Sequence, residues 1–315
     1  FVDSISDVIY HLDYPVAGPG SFPQYQISKL AAKHRKVVLG GQGGDEIFGG
    51  YTRYLIAYFE QCIKGGIDGT LKDGNFVVTY ESIIPNLRSL QNYKPLLKKF
   101  FGKGMFEPLD QRYFDLINRA PDIDKEINWS NLKHTQPLEK FMKIFNRDNV
   151  GKDSYFDKMT HFDFKTSLPA LLQVEDRMSM AHGLESRVPF LDHPVVEFAA
   201  TMPADIKFKD GTLKMILVNS MKKELPQEIL DRKNKMGFPV PLNDWLKKGA
   251  VYDYVNDIFH AEKAKTRQYF NNEEIVAGLT KQNTFGRKTW GLLSLEIWQQ
   301  EFHDQHEKFK SLLKK

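Results

Sequence analysis

The sequence predicts a mostly α chain, partial α/β in class, with a remnant of a parallel sheet. Three observations carry this. Apolar residues recur at helical spacing through most of the chain. Very little of it alternates with the period of two that marks a half-buried strand. One stretch, "KVVLGG" at 36–41, has β-branched and apolar residues closed by glycine, the pattern of a short buried strand.

The elements follow in order. After the strand comes a glycine turn, "GGQGGDE" at 40–46. From Asp45 the period changes. Ile47, Tyr51, Tyr54, Leu55, Tyr58 and Cys62 stand at i, i+4, i+7, i+8, i+11 and i+15, the stripe of an amphipathic helix. Residues 65–150 read as helices and loops broken at Gly65-Gly66, Pro85, Pro108 and Pro121. Tyr155, Phe156, Met159 and Phe162 mark the next helix. Ser167 and Pro169 start another, and Gly183 stops it. Asp192 caps a helix that ends before Pro203. Thr212 caps one that ends at Pro226. After about 250 the chain is a charged, aromatic-studded helical tail.

The 315 residues are enough for one large domain or two small ones. We read one, over 1–315, with a strand–turn–helix portion at 1–60, a helical portion with the motifs at 61–250 and the tail at 251–315. The chain opens with Phe1 in a segment that reads as mid-domain, so a domain truncated at its N-terminus is expected. The sheet edge this would leave calls for cover, by a preceding segment or by a homodimer.

Composition excludes some classes. Apolar content is 41% and charged content 27%. No run approaches the ~20 apolar residues of a membrane span, and no leader is visible. Net charge is +4, with basic residues spread among acids, so no nucleic-acid stripe forms. Cys62 is the only cysteine, which excludes an intrachain disulfide and fits a cytoplasmic protein.

The turn is the first candidate site. Gly40, Gly41, Gly43 and Gly44 leave the backbone bare for close approach or positive φ. A strand-to-helix turn also turns free N–H groups towards an anion. Neither the dinucleotide pattern G-x-G-x-x-G nor the phosphate-loop pattern G-x-x-x-x-G-K-[ST] fits it. Asp45 and Glu46 suit the helix dipole, and equally suit Mg2+ carried on phosphates. Gly49 and Gly50 each cost about 1 kcal/mol inside a helix, which points to close backbone contact. Lys214, in the first turn of the helix after Thr212, opposes the dipole unless both share an anion. Glu185 and Arg187 border a Val-Pro-Phe turn, either as an ion pair or at a site. "RKNKMGFPVPL" at 232–242 is a charge cluster or a phosphate contact. His303 and His306 lack further ligands for a metal.

Taken in order, "VVLGGQGGDEIFGGYTRY", "DRMSMAHGLESRVPFLDHPVVEFA", "GTLKMIL" and "RKNKMGFPVPLNDWL", with "LDYP" at 12–15, resemble the asparagine synthetase family from about residue 1 to 250 and on towards the end. The resemblance implies the C-terminal portion of a synthetase domain of the ATP-pyrophosphatase type, an adenine-nucleotide α-hydrolase-like fold. It implies a glutaminase domain upstream. The implied reaction uses ATP and Mg2+ to adenylate the aspartate side chain; ammonia from glutamine then attacks, giving asparagine, AMP and pyrophosphate. By position, Gly40, Gly41 and Gly43 would line the nucleotide and acyl group. Asp45 would lie at the magnesium pyrophosphate, with Glu46 beside it. Lys214 matches the lysine that meets the phosphates, where charge builds in adenylation. Glu185 and Arg187 fall in a motif near the active site.

The sequence departs from that pattern at several points. Gly40 replaces the usual serine. Gln42 stands where an acid is common, and can hydrogen-bond an amine without taking its proton. Val218 stands where an arginine is common. The S-G-G-x-D-S pyrophosphate loop and a nucleophilic N-terminal cysteine are absent from these 315 residues, so the chain alone is expected to be inactive. The alternatives are a ligase that amidates or cyclises another carboxylate, and a non-catalytic remnant of the fold.

Overall fold

The computed structural model describes residues 1–15, 18–69, 80–102, 104–151, 154–232, 237–281 and 287–313. Helices dominate, as expected. Helix α1 (Val2–Leu12) sets Ile5, Val8, Ile9 and Leu12 on one buried stripe, and α2 (Ser21–Ala31) follows. Strand β1 (Val37–Leu39) runs parallel to β2 (Glu185–Arg187), in the register Val37 to Glu185, Val38 to Ser186 and Leu39 to Arg187. A strand is therefore present at "KVVLGG", but it is not the buried strand expected: Val37 is 40% and Leu39 73% exposed. Its partner escaped the sequence reading, because three polar residues carry no strand pattern.

Past the turn, the expected single helix is two: α3 (Gly44–Phe48) and α4 (Thr52–Asp68). Gly49, at φ 70°, breaks them, and a Cβ there would lie 2.7 Å from Phe156 Cζ. Gly65-Gly66 does not break the chain. Helix α4 runs through both and stops at Gly69, whose φ of 72° closes a left-handed C-cap. Short helices α5 (Tyr80–Ile83) and α6 (Lys94–Phe101) lead to α7 (Leu109–Ile117), which starts after Pro108, and α8 (Pro137–Phe145). Ser154 caps α9 (Tyr155–Lys165), its hydroxyl accepting from the Asp157 amide at 3.4 Å. Helix α10 (Ser167–Met180) ends just before Gly183, at φ 64°. Helices α11 (His193–Thr201) and α12 (Ala204–Lys207) follow. Helix α13 (Met215–Ser220) begins at Met215, three residues past the expected cap at Thr212.

Three apolar clusters hold these helices. One joins α1 and Met178 of α10 to the tail helices Ala250–His260 and Arg287–Trp298, around the fully buried Trp290. The second is aromatic and joins α4, α7, α8 and α9. Phe141 and Phe145 stack at 4.9 Å, and Tyr113 lies 5.4 Å from Phe145. The third sets Ile47 and Phe48 of α3 against Ala199 of α11.

Two buried charge groups sit beside the aromatic cluster. Arg112 donates to Glu60 through two nitrogens, at 2.8 and 2.5 Å, and to the Phe100 carbonyl at 2.7 Å. Asp163 accepts from the Tyr54 and Tyr113 hydroxyls at 2.5 and 3.1 Å and pairs with Arg53 at 2.7 Å. The Arg53 guanidinium lies 3.6 Å over the Tyr51 ring, and the Tyr51 hydroxyl donates to Glu46. Glu46 is 2% exposed, and burial pushes its carboxyl above the usual range.

Two predictions follow from this packing. Glu60→Ala strands the Arg112 charge in the core and is expected to cost about 3–5 kcal/mol in urea unfolding. The raised carboxyl of Glu46 makes its ionised form the costly one in the folded state, so its contribution to stability falls as pH rises through the folded pKa. Glu46→Gln removes that dependence. Its melting temperature relative to the parent should climb between pH 4 and pH 8; a flat difference counts against the buried carboxyl.

Candidate active site

The parallel ladder sets the site. In open parallel sheets, ligands sit beyond the carboxyl ends of the strands. Here the ladder gains one more bond beyond β1, from the Gly40 amide to the Arg187 carbonyl at 2.7 Å. The turn leaves from that point. Gly43 has φ 92°, and a Cβ on it would lie 2.4 Å from Leu191 Cδ2. Gly44 packs on Phe190, where a Cβ would stand 3.4 Å from the ring. Gly41 has nothing within 4 Å on its Cβ side, so this flank of the turn is open.

Lys214 reaches the turn from the far side. Its Nζ lies 2.7 Å from Asp45 Oδ1, with both side chains partly exposed. Gly50 forms the wall behind them. Its amide donates to the Asp45 carbonyl at 2.8 Å, and a Cβ on it would lie 1.9 Å from Asp45 Oδ1 and 2.4 Å from Lys214 Cε. This accounts for the second glycine of the pair. Lys214 is not inside the first turn of its helix. It is the N-cap of α13, in left-handed backbone at φ 54°, close behind Asp210 and Gly211, also left-handed. Helix α3 has five residues and α13 six, so neither offers a long dipole. The positive charge at the turn comes from Lys214.

The other expected residues divide. Gln42 lies at the turn, its Nε2 donating to Glu175 Oε2 at 3.3 Å. Glu46 faces inwards to Tyr51, away from the Asp45–Lys214 pair. Glu185 and Arg187 pair with each other at 2.7 Å and are more than half exposed. They alternate with Ser186, on the face of the sheet that carries the exposed Val37 and Leu39. Of "RKNKMGFPVPL", residues 233–236 lie outside the described residues. Among the described residues, no three His, Cys, Asp or Glu gather as a metal cage. Cys62 is buried, as expected of a core filler.

Sequence reasoning missed Glu175, on α10. The residue is 7% exposed. It accepts from Gln24 at 3.1 Å, Gln42 at 3.3 Å and the Ser186 hydroxyl at 2.5 Å. A signal was present: Glu175 lies on the stripe of Leu168, Met178 and Ser179, so an acid occupies the buried face of a helix.

No helix among the described residues is long and apolar enough to cross a membrane. The family model for asparagine synthase matches residues 1–300. The chain is 30% identical over 313 residues to asparagine synthetase [glutamine-hydrolyzing] 1 of Bacillus subtilis, covering 95% of this chain and 45% of that protein. It is 31% identical over 267 residues to a putative asparagine synthetase [glutamine-hydrolyzing] of Mycobacterium tuberculosis, covering 81% of this chain and 37% of that protein. It is 32% identical over 129 residues to asparagine synthetase [glutamine-hydrolyzing] of Gallus gallus, covering 36% of this chain and 23% of that protein. The chain thus spans less than half the length of these curated relatives. With the match running over nearly its whole length, the chain belongs to the asparagine synthase family.

Proposed function

We propose that this chain carries the amide-forming half of a glutamine-dependent asparagine synthetase. The aspartate side-chain carboxylate would attack the α-phosphorus of ATP, forming an acyl adenylate and releasing pyrophosphate. Ammonia would then displace AMP to give asparagine. The observation that carries this reading is Lys214, brought by left-handed backbone onto Asp45 at the open glycine turn. A fixed cation at that place acts most strongly where phosphate charge grows in the transition state. The bare flank at Gly41 leaves room for the acyl and nucleotide groups.

Asp45 is the carboxylate that suits Mg2+ at the turn. One or two protein carboxylates, with substrate phosphates and water, are the usual holders of this ion. Bound there, the ion would neutralise phosphate charge, and Lys214 would exchange its bond to Asp45 for one to phosphate. Ammonia is proposed to come from a glutaminase domain elsewhere in the protein, as the names of the relatives suggest. The 315 residues themselves contain no S-G-G-x-D-S loop, so we propose that the chain by itself does not complete the reaction.

The departures at Gly40 and Gln42 favour a second reading: the same adenylating chemistry on another carboxylate. One assay separates the two. Carboxylate-dependent ATP–pyrophosphate exchange by the full-length protein should be strongest with aspartate; exchange with another carboxylate and none with aspartate selects the second reading. Lys214→Met should lower exchange about 100–1,000-fold. Its effect on stability should stay within about 1 kcal/mol, because the pair it breaks is partly exposed. Exchange unaffected by Lys214→Met overturns the role given to this residue.

A further inference from the structure

We propose that Glu175 is the working carboxylate of the turn, a positioning residue that fixes the side-chain amide of Gln42 for the nitrogen-attack step. The proposal rests on the amide-forming reading above and assigns a residue within that site. Three elements converge on this carboxylate: Gln24 from α2, Gln42 from the turn and Ser186 from β2. All three are neutral donors, so the negative charge stays at the turn without an opposing cation among them.

The geometry dictates how Gln42 is oriented. An ionised carboxylate offers only acceptors, so the amide nitrogen of Gln42 must face Glu175. Its carbonyl oxygen is then left as an acceptor for the N–H of an incoming amine. Without the carboxylate, the amide could present either end. A glutamine at 175 could make the same number of contacts, but would not force this choice. Burying a carboxylate among neutral donors is costly, and a merely structural role does not require it.

The backbone is shaped for the same carboxylate. A Cβ on Gly40 would lie 3.1 Å from Glu175 Oε1, 3.3 Å from its Cδ and 3.5 Å from Ser186 Oγ. Glycine at 40 thus makes room for Glu175 and its bond to Ser186. Gly40 and Gln42 are the two places where the turn lacks a serine and an acid that its pattern otherwise carries. Both groups return from outside the turn: Ser186 brings the hydroxyl beside position 40, and Glu175 brings the carboxylate beside position 42. In this chain the acid beside the turn stands on the helix beneath it.

The test is a charge swap in the full-length protein. Two rates are measured with the carboxylate that best supports exchange: ATP–pyrophosphate exchange, and amide formation from added ammonium chloride. Glu175→Gln should lower the ratio of amide formation to exchange by about tenfold or more. Gln42→Glu should also lower it, because two carboxylates would then meet within hydrogen-bonding distance. The double variant, Gln42→Glu with Glu175→Gln, should recover the ratio to within about threefold of the parent. Thermal unfolding accompanies each variant. If Glu175→Gln does not fold, Gln42→Glu, which changes a partly buried residue, still tests the idea, since its defect must be relieved by adding Glu175→Gln. Proportionate loss of both rates, or a double variant no better than the singles, overturns the role of Glu175 and leaves the proposed reaction standing. A parent protein without exchange for any carboxylate overturns the reaction itself, and this inference with it.

Discussion

Three residues of parallel ladder hold the candidate site together. Val37–Leu39 and Glu185–Arg187 lie far apart in the chain, and their pairing sets the Gly40 turn beside Ser186 and above Glu175. Parallel strands cannot be joined by a tight turn, so a long crossover must join them and be held in place. The aromatic cluster of α4, α7, α8 and α9 does this, and its buried Asp163 ties Tyr54 and Arg53 of α4 to Tyr113 of α7. The short sheet thus depends on a helical core many times its size. The glycines can take their bare conformations because that core fixes both ends of the turn.

The strand, the turn and some helix limits were legible in the sequence, because each rests on local chemistry. Asp192 and Gly183 mark ends through their own backbone preferences. The features that escaped depend on contacts between distant residues. Glu185–Arg187 is a strand only because Val37–Leu39 lies beside it. Gly49 ends a helix where Gly65 does not, because Phe156 presses on Gly49 in a left-handed backbone while α4 continues past Gly65. Gly50 was legible as a place of close contact, but that Asp45 and Lys214 make the contact was not. Glu175 lay hidden because a helix stripe is read for its apolar members, and an acid upon it is taken as surface.

The buried and exposed carboxylates of this region divide the electrostatics. Asp163 has a full cation in Arg53 and two hydroxyl donors, and its role is to hold α4, α7 and α9. Glu46 has Tyr51 and a carboxyl pushed up by burial, so it supports the break between α3 and α4. Asp45 and Glu175 differ from both. Each borders the turn, one bonded to a partly exposed lysine and one to neutral donors. The fold thus keeps its cation-paired Asp163 in the helical core, and sets Asp45 and Glu175 at the turn.

Magnitudes say what the Asp45–Lys214 pair is for. A partly exposed pair of this kind contributes about 0–1 kcal/mol. Holding a lysine in left-handed backbone costs about 1–2 kcal/mol. Asp210 is left-handed as well, and Gly50 forgoes any side chain at its position. The conformational cost therefore matches or exceeds what the pair returns, and stability alone does not explain the arrangement. Strain of this size persists where the surrounding structure over-determines it, and it gathers at functional sites. Here α12 provides that restraint just upstream, with the buried Lys207 bonded to the Ala199 carbonyl at 3.0 Å. The strain sets the Lys214 cation at the rim of a bare turn.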